Sequence, residues 1–160
     1  MGEKVTNNQL ILVSFKRDNN SYLASVPLNQ FLTSKNDLEA DLKLIVKVYE
    51  NSVAMMKKNL GDIEKWRSTK KPLPARLVWK LGDLIFKLTA DLEIKGFQID
   101  GVYEHLVRDL NVKRKWLEKV IILRRYILKE SIIPQTLNWG YFEKGTRKKA
   151  EGILRGIVPR

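Results

Sequence analysis

Apolar positions along this chain fall into short runs near the N-terminus and then into stripes at helical spacing. Residues 9–15 (QLILVSF) and 22–28 (YLASVPL) are apolar and partly β-branched. Between them lies Asp18-Asn19-Asn20-Ser21, which is turn chemistry because short polar side chains bond their own backbone. The pattern predicts a β-hairpin, with Pro27 near an edge or strand end where its missing N–H is tolerated. An arm that pairs with another chain is the other reading of this segment.

The helical stripes begin at Ser34, read with Asp37 as an N-cap and a first-turn carboxylate. Leu38, Leu42, Ile45, Tyr49, Val53, Met56 and Leu60 recur at spacings of three and four, which predicts about six helical turns ending near Gly61. Such a stripe needs cover, within the fold or from a second protomer. Residues 64–74 (EKWRSTKKPLP) read as an exposed basic loop. There Trp66 either stacks on a base or caps the preceding helix against the core. Pro74 is placed to start a helix carrying Leu77, Leu81, Leu84, Ile85, Leu88 and Leu92, with Lys95-Gly96 as its stop. Gly82 within it costs about 1 kcal/mol against alanine, which points to a close helix–helix approach. Phe97 and Ile99 bracket a short connector, and Asp100 is placed to cap the next helix.

Residues 101–130 carry the pattern that most constrains function. Leu106, Val107 and Leu110, joined by Tyr103, form the inner face of a short helix, with Glu104, Arg108 and Asp109 outward. A turn at Asn111-Val112 leads to a longer helix opening with Lys113-Arg114-Lys115, with Leu117, Val120, Ile121 and Leu128 inward. This is the order of a helix-turn-helix unit, whose second helix meets base edges with its first turn. Cations in a first turn oppose the helix dipole, so their presence favours an external anion. A purely structural helical corner is the competing reading. The second helix is apolar over so much of its girth that only its first two turns are expected to read DNA.

Pro134 ends that region, and an aromatic patch, Trp139, Tyr141 and Phe142, precedes Arg147-Lys148-Lys149. The aromatics either pack a final helix or touch nucleic acid. The basic run is either a solvated face or a second backbone contact.

Charge sharpens this picture. The net charge is +12, and the last sixty residues hold fourteen cations against six anions. Cations that meet phosphates release condensed counterions, so a bias of this kind suits a nucleic-acid partner. The expected contacts are Lys113, Arg114, Lys115 and Lys119 on DNA, with Arg124, Arg125, Arg147, Lys148 and Lys149 supporting on phosphates.

Catalytic equipment is sparse. The chain has no cysteine and one histidine, His105, so neither a thiolate nor a paired-imidazole metal site is expected. Lys144-Gly145-Thr146 lacks the glycine spacing of a phosphate loop. The pairs Asp62/Glu64 and Asp91/Glu93 read as helix-surface charges before they read as Mg²⁺ ligands. No cofactor, metal or catalytic residue is expected. The start, Met1-Gly2-Glu3-Lys4, lacks the apolar core of a secretion signal, and the longest apolar runs are too short to span a bilayer. A cytoplasmic location away from membranes is expected.

Val78-Trp79-Lys80-Leu81-Gly82-Asp83-Leu84-Ile85, then Leu88-Thr89-Ala90-Asp91-Leu92, then Gly96-Phe97, then Leu123-Arg124-Arg125-Tyr126 form a recognisable order. Over about residues 40–130 this resembles the helical N-terminal domain of the YhcG-like proteins, a family of restriction-type nucleases. The resemblance implies a DNA-binding or assembly module without catalysis, since the family's nuclease domain lies C-terminal to that region. Residues 1–33 and the basic C-terminus fall outside it.

The sequence therefore predicts a mainly α protein, a helical bundle containing a helix-turn-helix-like unit, with an N-terminal β-hairpin. Residues 1–33 form the hairpin or arm, and residues 34–160 the helical domain. The expected partner is double-stranded DNA, bound by a homodimer through paired half-sites. A protein-assembly subunit with a basic face and an RNA-binding module remain the rival readings.

Overall fold

The structure, a computed structural model, describes residues 10–19, 21–27 and 38–157. The Ser34 cap with Asp37 lies outside the described residues. The hairpin forms: β1 (Ile11–Asp18) pairs antiparallel with β2 (Ser21–Ser25), with Phe15 opposite Ala24 and Arg17 opposite Tyr22. Asn19 takes the left-handed φ of 59° that so tight a turn requires. The connector after the second helix is a third strand, β3 (Phe97–Ile99), parallel to β1 with Val13 beside Ile99. The sheet order is β2-β1-β3. A three-residue strand is too short to show a period of its own. Alternation puts Val13, Phe15, Phe97 and Ile99 on the buried face, so the hairpin shares the core of the helices.

The first helix, α1 (Leu38–Ser68), runs seven residues past Gly61 and absorbs the first part of the expected loop. A lone glycine weakens a helix without stopping it, and Ile63, fully buried, carries the stripe onward. Leu38, Ile45, Tyr49, Val53 and Met56 are buried within the chain, against the second helix and the sheet. Of the two covers open to the stripe, the structure supplies the one within the fold.

Pro74 is the N-cap of α2 (Ala75–Ile94), and Gly96 at φ 90° lies just past its end, as expected. Asp100 does not cap the next helix. Its N–H bonds the Val13 carbonyl at 2.7 Å, and Gly101, at φ 64°, is the N-cap of α3 (Val102–Leu110). Asn111 closes α3 at φ 55°, donating its N–H to the Arg108 and Val107 carbonyls, and Lys113 is the N-cap of α4. That helix, Arg114–Tyr126, stops before Leu128, because Ile127 turns extended to let its carbonyl accept the Trp79 indole N–H at 2.7 Å. A 3₁₀ turn (Glu130–Ile132), α5 (Trp139–Glu143) and α6 (Thr146–Leu154) complete the chain.

The protein is mostly helical, with the small sheet at one end. α4 rests chiefly on α2 and α6, and its contacts with α3 are few. The two helices around Asn111 thus make a corner whose longer arm is held from elsewhere, whereas a self-standing helix-turn-helix packs its two helices on each other. Two other expectations on α3 fail: Tyr103 is exposed, and the Asp109 side chain is only 8% exposed. Among the described residues, no helix is long and apolar enough to cross a membrane.

Candidate nucleic-acid interface

Three hollows lie side by side where α1, α4, α5 and α6 meet. The middle one, about 720 Å³, is bordered by Lys113, Lys115, Trp116 and Lys119 of the α4 end and by Glu64 and Arg67 of α1. A second, about 560 Å³, continues from Lys119 to Gly145, Arg147, Lys148 and Glu151. A third, about 770 Å³, runs from Arg67 to Pro72, Thr136, Asn138 and Tyr141. Lys119 borders two of them, Arg67 borders two, and Glu143 borders all three, so together they form one groove.

The local sequence dictates this placement. Leu117, Val120 and Leu123 are buried against the bundle, which turns Lys115 and Lys119, four apart, to the same outer side. The left-handed Gly145 breaks α5 from α6 and brings the Arg147 turn beside Lys119. The aromatic patch does its packing beneath: Trp139 and Phe142 are buried, so Trp139 is no stacking platform. Trp66 is 38% exposed yet does not border the groove.

Five of the nine residues expected to bind nucleic acid therefore share the groove: Lys113, Lys115, Lys119, Arg147 and Lys148. Among the described residues, Lys113, Lys115, Lys119 and Lys148 form no ion pair. Arg147 pairs with Glu151 at 3.8 Å and lies over the Tyr126 ring. The other four fall elsewhere. Arg114 bonds Glu104 at 2.8 Å on the α3 side, which holds the Glu104 carboxyl below its ordinary range. Arg125 is exposed on the last turn of α4, outside the groove, and the Lys149 ammonium sits 4.8 Å over the Tyr141 ring.

Arg124 is not a surface cation at all. It is 8% exposed, donates to Asp83 at 2.8 Å and lies 4.0 Å over the Phe86 ring. The phosphate contact expected of it is out of reach, because α4 turns this side chain toward α2. Arg67 and Glu143 complete the groove; the sequence places the first only in an exposed basic stretch and does not mark the second. The long α1 hides the first, and the α5–α6 corner hides the second.

A separate polar cluster joins the sheet to the helices. The Asp109 carboxylate accepts hydrogen bonds from the hydroxyls of Tyr22 and Tyr49, with Arg17 at 3.6 Å and Arg108 at 3.8 Å. Phe15 and His105 pack their rings against Tyr22, and the His105 Nδ1 lies 2.9 Å from Arg108 Nη2. Burial, and then the acceptor at Asp109, push both tyrosine pKa values up. Burial and the Arg108 charge push that of His105 down. Asp109 lies outside the groove, with its oxygens already engaged, so the cluster works as a lock between β1, β2, α1 and α3.

The described residues contain no group of three or more His, Asp or Glu side chains arranged to hold a metal ion. No protein family, curated protein or solved structure that was compared with the chain matches it.

Proposed function

We propose that this chain is a non-catalytic DNA-binding protein that grips a phosphate backbone along the groove. One observation carries the reading: Lys113, Lys115 and Lys119 converge on one hollow without an ion pair, and the same groove continues to Arg147 and Lys148. Unpaired cations on one concave surface concentrate positive potential, and their neutralisation by phosphates releases counterions. The charge of +12 acts in the same direction at long range.

The groove changes the manner of binding expected from the sequence. A helix that enters a major groove presents its first turn on a convex surface. Here Lys113 and Lys115 face a hollow walled by α1 and by Glu143. An unpaired strand is free to lay its backbone into such a hollow against the three lysines. Binding of single-stranded DNA, duplex DNA and RNA by nuclease-treated protein tests this. The expected result is binding of DNA with the unpaired strand held most tightly, lost in a Lys113/Lys115/Lys119→Ala variant that remains folded. Failure of the wild-type chain to bind any of the three would overturn it.

A further inference from the structure

Trp116 borders the middle hollow three residues from Lys113 and three from Lys119, a spacing that sets all three on one side of α4. Its ring packs partly against the core and is otherwise turned to the hollow. The buried Trp139 meets it nearly edge to face, with centroids 6.5 Å apart, and so fixes its plane. The indole Nε1 of Trp116 is itself buried, so the ring offers the hollow carbon surface and not an N–H donor. Arg67, which borders the same hollow, holds its guanidinium 5.6 Å over the ring centroid. The face of the indole is thus open to a planar group on the groove side. Arg67 is kept there by an exposed pair with Glu64, three residues away, which a ligand displaces readily.

A π face set between lysines without ion pairs suits a partner that alternates negative charges with flat rings. A nucleic-acid strand is built that way, and its bases are free to leave their own stack only when unpaired. Every base has a π face, so a contact with carbon surface alone selects none of them. We propose that Trp116 is the base-stacking platform of the groove, taking the face of one unpaired base of any identity while Lys113 and Lys119 hold phosphates on either side. The proposal rests on the groove being a DNA-binding surface. It gives the groove a means to tell an unpaired strand from a duplex, in which both faces of each base are already covered by its neighbours.

The experiment compares fluorescence anisotropy of two labelled single strands of about twelve nucleotides, one of mixed sequence and one abasic throughout. The two carry the same phosphates, so their difference isolates the bases. The proteins are wild type, Trp116→Leu and Trp116→Phe, each checked by its thermal melt. The wild type is expected to hold the base-bearing strand about tenfold more tightly than the abasic one. Trp116→Leu, which keeps apolar packing without the ring, should bring the two strands to within about twofold and leave abasic binding unchanged. Trp116→Phe, whose smaller ring overlaps a base less, should narrow the difference to about threefold. Equal wild-type affinities for the two strands would overturn the role of Trp116 and leave the groove intact. An undiminished difference in the folded variants, or an equal loss on both strands, would do the same. Absence of wild-type binding to either strand would overturn the groove itself, and the role of Trp116 with it.

Discussion

A β-carbon added to Gly82 of α2 would stand 2.8 Å from the backbone carbonyl oxygen of Val120 on α4. The same atom would also lie 2.8 Å from the Arg124 β-carbon. The two helices therefore meet backbone to side chain at this point, and the approach fixes how α4 is held behind the groove. Gly82→Ala gains about 1 kcal/mol of helix propensity but forces the helices apart. We expect a net loss of about 1–3 kcal/mol, seen as a lower midpoint in chemical denaturation. Gly61, inside α1 with nothing within 4 Å of its added β-carbon, is the contrasting case. Gly61→Ala should stabilise by about 0.5–1 kcal/mol. Equal effects of the two substitutions would contradict the close approach.

Arg124 and Asp83 provide a second test of the α2–α4 seam. Burial alone would raise the Asp83 pKa, but hydrogen bonds and charge from Arg124 and Lys87 outweigh it and hold the carboxyl below its ordinary value. A carboxyl depressed in the folded state binds its proton less readily there than in the unfolded chain. Its contribution is therefore present above about pH 4 and fades as pH falls through the folded value. Asp83→Asn should flatten this acid limb of the stability profile. Arg124→Ala, which leaves the Asp83 carboxylate with Lys87 alone at 3.0 Å, should cost about 2 kcal/mol at neutral pH. An Arg124→Ala protein as stable as wild type would show that the pair does not hold the seam.

Much of this architecture is legible in local pattern, and the reasons for the misses are physical. The Pro74 start, the Lys95-Gly96 stop and the Asn111 turn depend on backbone preferences that residue type states directly. The close approach at Gly82 is legible because glycine inside an apolar helix has a cost that packing must offset. β3 is hidden because parallel pairing with a strand more than eighty positions earlier leaves no local mark. Arg124 misleads because its position in an Arg-Arg pair at a helix end suggests surface, while its ion pair with Asp83 lies forty-one residues back. Asp109 misleads in the same way, since its tyrosine partners come from β2 and α1. The groove is half legible. Cations can be counted, but which of them converge depends on how α1, α5 and α6 meet α4.

The lock at Asp109 makes an alkaline prediction. Tyr22 and Tyr49 both have pKa values raised by burial and by donation to Asp109. A tyrosine whose folded pKa exceeds the unfolded one keeps its proton longer in the fold. Its contribution is present below about pH 10 and is lost as pH rises beyond it. Tyrosinate absorbance should therefore lag behind that of a free tyrosine and rise with unfolding. Tyr49→Phe should lower stability at neutral pH by about 1–2 kcal/mol while weakening the alkaline decline. Ionisation of both tyrosines near pH 10 in the folded protein would contradict the lock.

The salt dependence of DNA binding tests the groove most directly. Each phosphate neutralised on a single strand contributes about −0.7 to the slope of log affinity against log salt. Lys113/Lys115/Lys119→Ala should reduce the magnitude of that slope by about 2 and weaken binding at low salt. A control removing the same charge from exposed lysines of α1, Lys43/Lys47/Lys57→Ala, should leave the slope close to that of wild type. A groove that holds the strand through these three lysines requires the groove variant to differ from the control. Identical slopes for wild type, control and a folded groove variant would contradict it.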